Sequence, residues 1–195
     1  MQRVFDFVVA LTVNACLLPL MAIIAAIVML QDRGPALYAA LRVGKDGRLI
    51  RVLKFRTMVQ DAEKLGPAIT ATGDPRVTRF GKFLRKTKLD ELPQFMNVLK
   101  GDMSLVGPRP EDPRYVAAYT VEQRKLLSVR PGITSPASLE YRDEESQLAG
   151  DGWEERYLRE ILPSKLSMEA AYQQKRTLLT DIGILLKTAG LGLKK

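Results

Sequence analysis

Histidine is absent from the chain. That removes imidazole bases, His-dependent triads and every zinc pattern that needs an imidazole ligand. Cysteine occurs once, as Cys16, inside an apolar run. One thiol supports neither a disulfide framework nor a thiolate metal site. Any acid, base or nucleophile must therefore be Asp, Glu, Lys, Tyr, Ser or Thr. Acidic residues are in deficit as well, 22 against 30 basic ones, which leaves a net charge of +8. Such a surplus calls for an anionic partner: nucleic acid, an anionic lipid leaflet or a phosphorylated substrate. No internal repeat and no low-complexity tract is visible, and 195 residues suffice for one domain with a core of its own.

Charge is also missing from residues 7–30, FVVALTVNACLLPLMAIIAAIVML. Twenty-four helical residues cover roughly 36 Å, enough to cross a bilayer core of about 30 Å. A cleaved signal peptide fits poorly, because only Arg3 precedes the run, Asp6 is acidic, and no small-x-small site ends it. Pro19 removes an amide from mid-segment and predicts a bend, with polar Asn14 at a similar depth. Two topologies follow: a kinked span, or a helix–break–helix hairpin that enters and leaves by one face. Composition alone favours the span, since proline is tolerated in membrane helices. Arg33, Arg42 and Lys45 place the following segment on the cytoplasmic side in either case.

Residues 36–58, ALYAALRVGKDGRLIRVLKFRTM, read as a small hairpin turning at Gly44 to Gly47. Lys54 and Arg56 alternate with Phe55 and share a face, either solvated or anion-binding. Residues 61–75 form a loop of about 15 residues. RVTRFGKFLRKTK, residues 76–88, has six bases, no acid, and Phe80, Phe83 and Leu84 at helical spacing. It suits a short helix at a membrane interface, or a solvated basic one.

Then comes TKLDELPQFMNVLKGDMSLVGPRP, residues 87–110. Asp90 stands before the helical pattern Leu92, Phe95, Met96, Leu99 and reads as an N-cap, with Glu91 a first-turn acid. The same pair also reads as chemistry. Adjacent acids at a helix start point in different directions, so one can attack while the other holds a cation or proton. Near Arg85 and Lys88, Asp90 is expected to be ionised, and an ionised aspartate can attack phosphorus to form an acyl phosphate. Gly107, Pro108 and Pro110 make a stiff turn that presents Arg109, whose fork suits phosphate. Asp102 is a further candidate cation ligand or a cap for Ser104.

At these residues the chain resembles the bacterial sugar transferases, the monotopic phosphoglycosyl transferases. The likeness runs from about Val4 to Leu186 and rests on the apolar segment, KFRTM at 54–58, TRFGKFLRKTKLDELPQFMNVLKGDMSLVGPRP at 78–110 and RPGIT at 130–134. The resemblance implies transfer of a sugar 1-phosphate from a UDP-sugar to polyprenyl phosphate, with UMP released and a covalent phosphosugar on Asp90. It implies Mg²⁺ bound by Glu91, with Asp102 as a second candidate ligand. It places Arg85, Arg109 and Lys54 on substrate phosphates. Arg130 and Arg142 are added as candidate contacts, while Asp143, Glu144 and Glu145 read as a solvated loop. The implied fold is α+β, mainly helical: a re-entrant membrane helix hairpin over 1–32, broken at Leu18-Pro19, then a small β-hairpin and interfacial amphipathic helices around a cytosolic catalytic domain over 33–195. Family members usually carry Ser-Pro at the break; Leu18 lacks that hydroxyl, and Asn14 is the candidate substitute donor.

A second departure follows RPGIT, where SPASLEYRDEESQLAG replaces the GLAQVNGR of many members; it matches a subgroup continuing YLxEILPxKL. Residues 154–162 are predicted helical, stopping before Pro163, and residues 165–189 form another helix whose apolar end and lysines at 187, 194 and 195 suit anionic lipid. The resemblance implies the minimal catalytic form, at the cytoplasmic face of the bacterial inner membrane, with a phospholipid partner and a homodimer left open. A basic membrane-anchored scaffold would explain the charge and the anchor but leaves the Asp-Glu pair and GPRP loop unemployed. A nucleic-acid partner is not expected, since no reading motif is present.

Overall fold

The computed structural model describes residues 2–62, 65, 74–142, 144 and 152–190. Most of the loop predicted over 61–75, Asp143, Glu145 and the tail residues Lys194 and Lys195 lie outside them. The fold is mostly helical, with two small two-stranded sheets.

Helix α1 spans Gln2–Asp32 and contains Pro19. Its buried residues are Asp6, Ala10, Ile24 and Val28. The two ends dock on different parts of the core. Phe5, Val9 and Ala10 pack with Ala40, Val98 and Met103. Met21, Ile24 and Val28 pack with Phe55 and Leu84. Polar contacts pin both ends. Arg3 donates to the carbonyls of Val98 and Leu99 at 2.7 and 3.3 Å, and Ser104 donates to Asp6. At the far end Arg56 pairs with Asp32. Between Ala10 and Ile24 no residue is buried, and Leu11, Leu18, Leu20 and Ile23 are exposed. So long an apolar stretch outside the core needs a non-aqueous neighbour. Asn14 donates to the carbonyl of Ala10 at 2.8 Å, not to that of Ala15, the acceptor Pro19 leaves without its helical donor.

Strands β1 (Leu37–Val43) and β2 (Leu49–Phe55) form the expected antiparallel hairpin, registered from Leu37↔Phe55 to Val43↔Leu49. Asp46 and Gly47 take positive φ in its turn. Helix α2 (Arg79–Thr87) is capped by Thr78, whose hydroxyl accepts from the Gly81 amide. A Cβ on Gly81 would stand 2.0 Å from the Thr57 carbonyl oxygen, so only glycine lets α2 lie this close to the end of the hairpin. Leu84 is buried there, while Arg79, Lys82, Phe83 and Lys86 face outward.

Helix α3 (Gln94–Lys100) lies along β2. Its Asn97 is buried and acts as a short third strand: its Oδ1 accepts from the Leu53 amide at 2.9 Å, and its Nδ2 donates to the Arg51 carbonyl at 2.8 Å. Asn97→Leu will leave both backbone groups unpaired. We expect a loss of about 2–4 kcal/mol in stability, from about 1–3 per unsatisfied group less the gain from added apolar burial. Thermal melting in detergent checks this; an unchanged melting temperature would contradict the clamp.

Strands β3 (Ser104–Val106) and β4 (Gly132–Thr134) pair in parallel. The flanking GPRP and RPG turns are laced together: Ser104 donates to Pro131, Gly132 to Pro108, and Gly107 to Thr134. A Cβ on Gly132 would stand 2.1 Å from the Gly107 amide nitrogen, which explains a glycine at that crossing. Short helices α4 (Pro113–Val116), α5 (Val121–Arg124) and α6 (Pro136–Glu140) follow.

The C-terminal helices depart from expectation. Helix α7 (Trp153–Arg156) continues through a π-helical turn, Tyr157–Ile161, directly into α8 (Leu162–Lys175), so Pro163 does not end it. Pro163 sits in the first turn of α8, and the π turn, with Leu162 donating to the Tyr157 carbonyl, absorbs its missing donor. The break falls instead at Arg176, which is extended; Thr177 and Thr180 then form a capping box for α9 (Leu178–Thr188). Arg176 stays there because its guanidinium holds Asp181 and the Val106 carbonyl.

Candidate active site

Lys88 ends α2 in the left-handed conformation, and Leu89–Glu91 form a single 3-10 turn before α3. Asp90 is therefore not the cap of α3: Pro93 occupies that place, and no side-chain cap bond forms. The turn instead drives Asp90 inward. It is 6 % exposed, and its Oδ1 has no hydrogen-bond partner in the protein. A buried carboxylate oxygen without a donor is costly in a purely structural role.

Glu91 is held by two bases. Its Oε1 accepts from Lys54 Nζ at 2.8 Å and from Arg109 Nη2 at 3.0 Å. β2 supplies Lys54, directly after the Leu53 amide that Asn97 holds. The GPRP turn supplies Arg109, fixed by its lacing to β4. Glu91 thus joins three elements distant in sequence.

The electrostatics divide the two acids. Burial would raise the Glu91 carboxyl, but Lys54 and Arg109 outweigh it and hold the group well below the ordinary glutamate range. Glu91 in turn raises Arg109 against its desolvation. For Asp90 burial wins and lifts the carboxyl above the ordinary aspartate value. Lys54 opposes that rise, Glu91 adds to it, and Arg85 and Lys88 oppose it further. Ionisation of Asp90 is thus less secure than the neighbouring bases alone suggest. Lys54 acts on both acids.

Arg85 donates from Nε to the Thr57 hydroxyl at 2.9 Å, and its charge favours the ionised form of Asp90. Arg130 does not join them through any bond described: its Nε donates to the Gly101 carbonyl at 2.9 Å, at the end of α3 where Arg3 also sits. Asp102 pairs with Lys100 at 3.2 Å. Arg142 is exposed beyond α6. Arg56, read on one face with Lys54, holds the end of α1 instead.

Sequence reasoning missed Asn97 and Thr57. Asn97 left one trace, a polar residue within an otherwise apolar stretch of α3. It also missed the network behind the GPRP turn, where Tyr157 donates to Glu111 and Lys165 pairs with Glu144 at 2.8 Å.

The site thus joins a buried acid with a free oxygen to a second acid neutralised by two bases, on a domain that carries a long, exposed apolar helix. The family description that matches residues 1–195 is bacterial sugar transferase, and the chain belongs to that family. It is similar to the UDP-glucose:undecaprenyl-phosphate glucose-1-phosphate transferase of Caulobacter vibrioides, 35% identical over 96% of this chain and 67% of that protein. The Escherichia coli protein of the same name is 35% identical over 98% of this chain and 40% of its own length. The UDP-N-acetylgalactosamine-undecaprenyl-phosphate N-acetylgalactosaminephosphotransferase of Aeromonas hydrophila is 43% identical over 71% of this chain and 33% of its length. The chain thus spans well under half the length of the last two.

Proposed function

We propose that the chain moves a sugar 1-phosphate from a UDP-sugar to polyprenyl phosphate. The observation that carries this reading is Asp90: a buried carboxylate with a free oxygen, ringed by Lys54, Arg85 and Lys88. Asp90 attacks the donor's β-phosphorus. The bond from that phosphorus to the bridging oxygen breaks, and UMP leaves with the electron pair. Asp90 then carries the phosphosugar as an acyl phosphate. An oxygen of polyprenyl phosphate attacks the same phosphorus, and Asp90 departs as carboxylate. Arg109 and Lys54 neutralise charge on the phosphoryl oxygens. A membrane scaffold gives no account of this convergence.

The donor set suits a hard divalent cation. Mg²⁺ typically takes one or two carboxylates, with phosphate oxygens and water completing its shell. Glu91 offers its remaining oxygen beside Asp90, while Asp102 is engaged with Lys100. When bound there, Mg²⁺ would screen the diphosphate charge and assist departure of UMP.

We assign residues 1–32 to the membrane and 33–195 to a cytoplasmic catalytic domain on the bacterial inner membrane. The re-entrant topology is supported by α1 itself: both ends dock on one domain, while the segment around Leu18 and Pro19 stays outside its core. A span would carry the ends to opposite faces. The outward Arg79, Lys82, Phe83 and Lys86 of α2 suit the same interface. Purified protein with Mg²⁺, polyprenyl phosphate and a panel of UDP-sugars is expected to release UMP from at least one donor. No release from any member of the panel would contradict the proposal.

A further inference from the structure

The turn that presents Arg109 is held at both ends by the C-terminal helices. At its entry Arg176, from the break between α8 and α9, donates to the Val106 carbonyl at 2.7 Å. At its exit the tie is between side chains. Tyr157, the first residue of the π turn, donates its hydroxyl to Glu111 Oε2. Glu111 Oε1 accepts from the Asp112 amide at 2.9 Å, and the Glu111 carbonyl accepts from the Val43 amide at 2.9 Å. Tyr157 is itself held. It is 2 % exposed, and its ring meets that of Tyr115 edge-on at 5.1 Å. Lys165, paired with Glu144, lies over the Tyr157 ring, 5.2 Å from its centre. Burial, with the charges of Glu111 and Glu144, holds the phenol above its ordinary range, so it stays protonated and its hydroxyl donates.

We propose that Tyr157 is a positioning residue for Arg109: by donating to Glu111 it fixes the exit of the GPRP turn, and with it the aim of the guanidinium. The proposal rests on the catalytic reading above, in which Arg109 neutralises charge on the phosphoryl oxygens. Three observations carry it. Only Pro110 separates Arg109 from Glu111, and its ring locks one of the few soft torsions between them. A shift of Glu111 is therefore passed on to Arg109 and not absorbed. Glu91 raises the Arg109 guanidinium most, and Glu144 and Glu111 add to it, so the Tyr157 network lies within electrostatic reach of that group. Finally, Arg109 is only partly covered: Glu91 accepts from its Nη2 at 3.0 Å, and its side chain is 36 % exposed. One ion pair on a partly solvated side chain holds a fork weakly. Its aim then depends on the backbone that carries it, and Tyr157 fixes that backbone from the buried side.

The test is a double-mutant cycle on UMP release, with Mg²⁺, polyprenyl phosphate and a turned-over UDP-sugar. Tyr157→Phe keeps the ring and removes the donor. We expect kcat to fall about tenfold, with KM for the UDP-sugar changed less than about threefold. On an Arg109→Lys background, where the fork is already lost, the same substitution is expected to lower kcat less than about twofold. Equal losses on both backgrounds would make Tyr157 a structural residue and overturn the proposal; so would no loss on the first. Full activity of Arg109→Lys would show that no aimed fork is needed, and overturn it too. Should Tyr157→Phe fail to fold, as judged by melting in detergent, Glu111→Gln weakens the same bond from its other end, and equal losses there would overturn the proposal. The two failures are distinct. No UMP release from the unmodified chain would sink the catalytic reading and this proposal with it, whereas release with equal losses sinks the positioning alone.

Discussion

Asp90→Asn will lower UMP release by about four orders of magnitude or more, the scale seen when a covalent nucleophile is removed. The protein will not unfold. Asp90 Oδ1 bonds to nothing in the protein, so the isosteric amide breaks no bond at that oxygen and relieves a buried charge. We expect a melting temperature equal to or above that of the unmodified chain. A structural aspartate would behave in the opposite way, losing stability with activity. In the unmodified enzyme the acid limb of the rate profile will lie above the ordinary aspartate value, because burial raises this carboxyl and the proposed mechanism has the ionised form attack.

Glu91→Gln will fail differently. Its carboxylate neutralises Lys54 and Arg109 together, and the amide leaves both cations short of a counter-charge. Removing one partner from such a cluster costs several kcal/mol when fully buried; with Lys54 and Arg109 partly solvated, about 1–3 kcal/mol is expected. Activity will fall on the order of 10²–10³-fold, since Arg109 loses its aim and the proposed cation site loses its carboxylate. The pH dependence has a definite sign. The folded carboxyl lies below its ordinary value of 4.5, so its contribution is full above that pH and lost as pH falls below it. The difference in melting temperature between Glu91→Gln and the unmodified protein will therefore shrink on acidification. A difference independent of pH would contradict the ion-pair account.

The parts of the molecule legible in the sequence are those written locally. Gly44 to Gly47 between two apolar runs announces a hairpin, and an uncharged run from Phe7 to Leu30 announces a long apolar helix. The Asp-Glu pair and the Arg between two prolines were visible because their chemistry is compact. What sequence reading missed depends on tertiary competition. Asp90 has the composition of a helix cap, but the left-handed Lys88 turns it into the core before the helix starts. Pro163 looks like a stop, yet a π turn accommodates it, while Arg176 breaks the helix because Asp181 and the Val106 carbonyl hold its guanidinium. Arg130 opens the RPGIT motif, and the folded chain uses its side chain on the Gly101 carbonyl.

The central claim is a covalent phosphosugar on Asp90. The most direct measurement is intact-protein mass spectrometry after incubating the enzyme with Mg²⁺ and a turned-over UDP-sugar, with polyprenyl phosphate withheld. The account predicts a mass increase of one sugar 1-phosphate, mapped to the peptide containing Asp90, absent from Asp90→Asn and discharged by polyprenyl phosphate. UMP formation that needs the acceptor from the outset, with no adduct at any time, would contradict it.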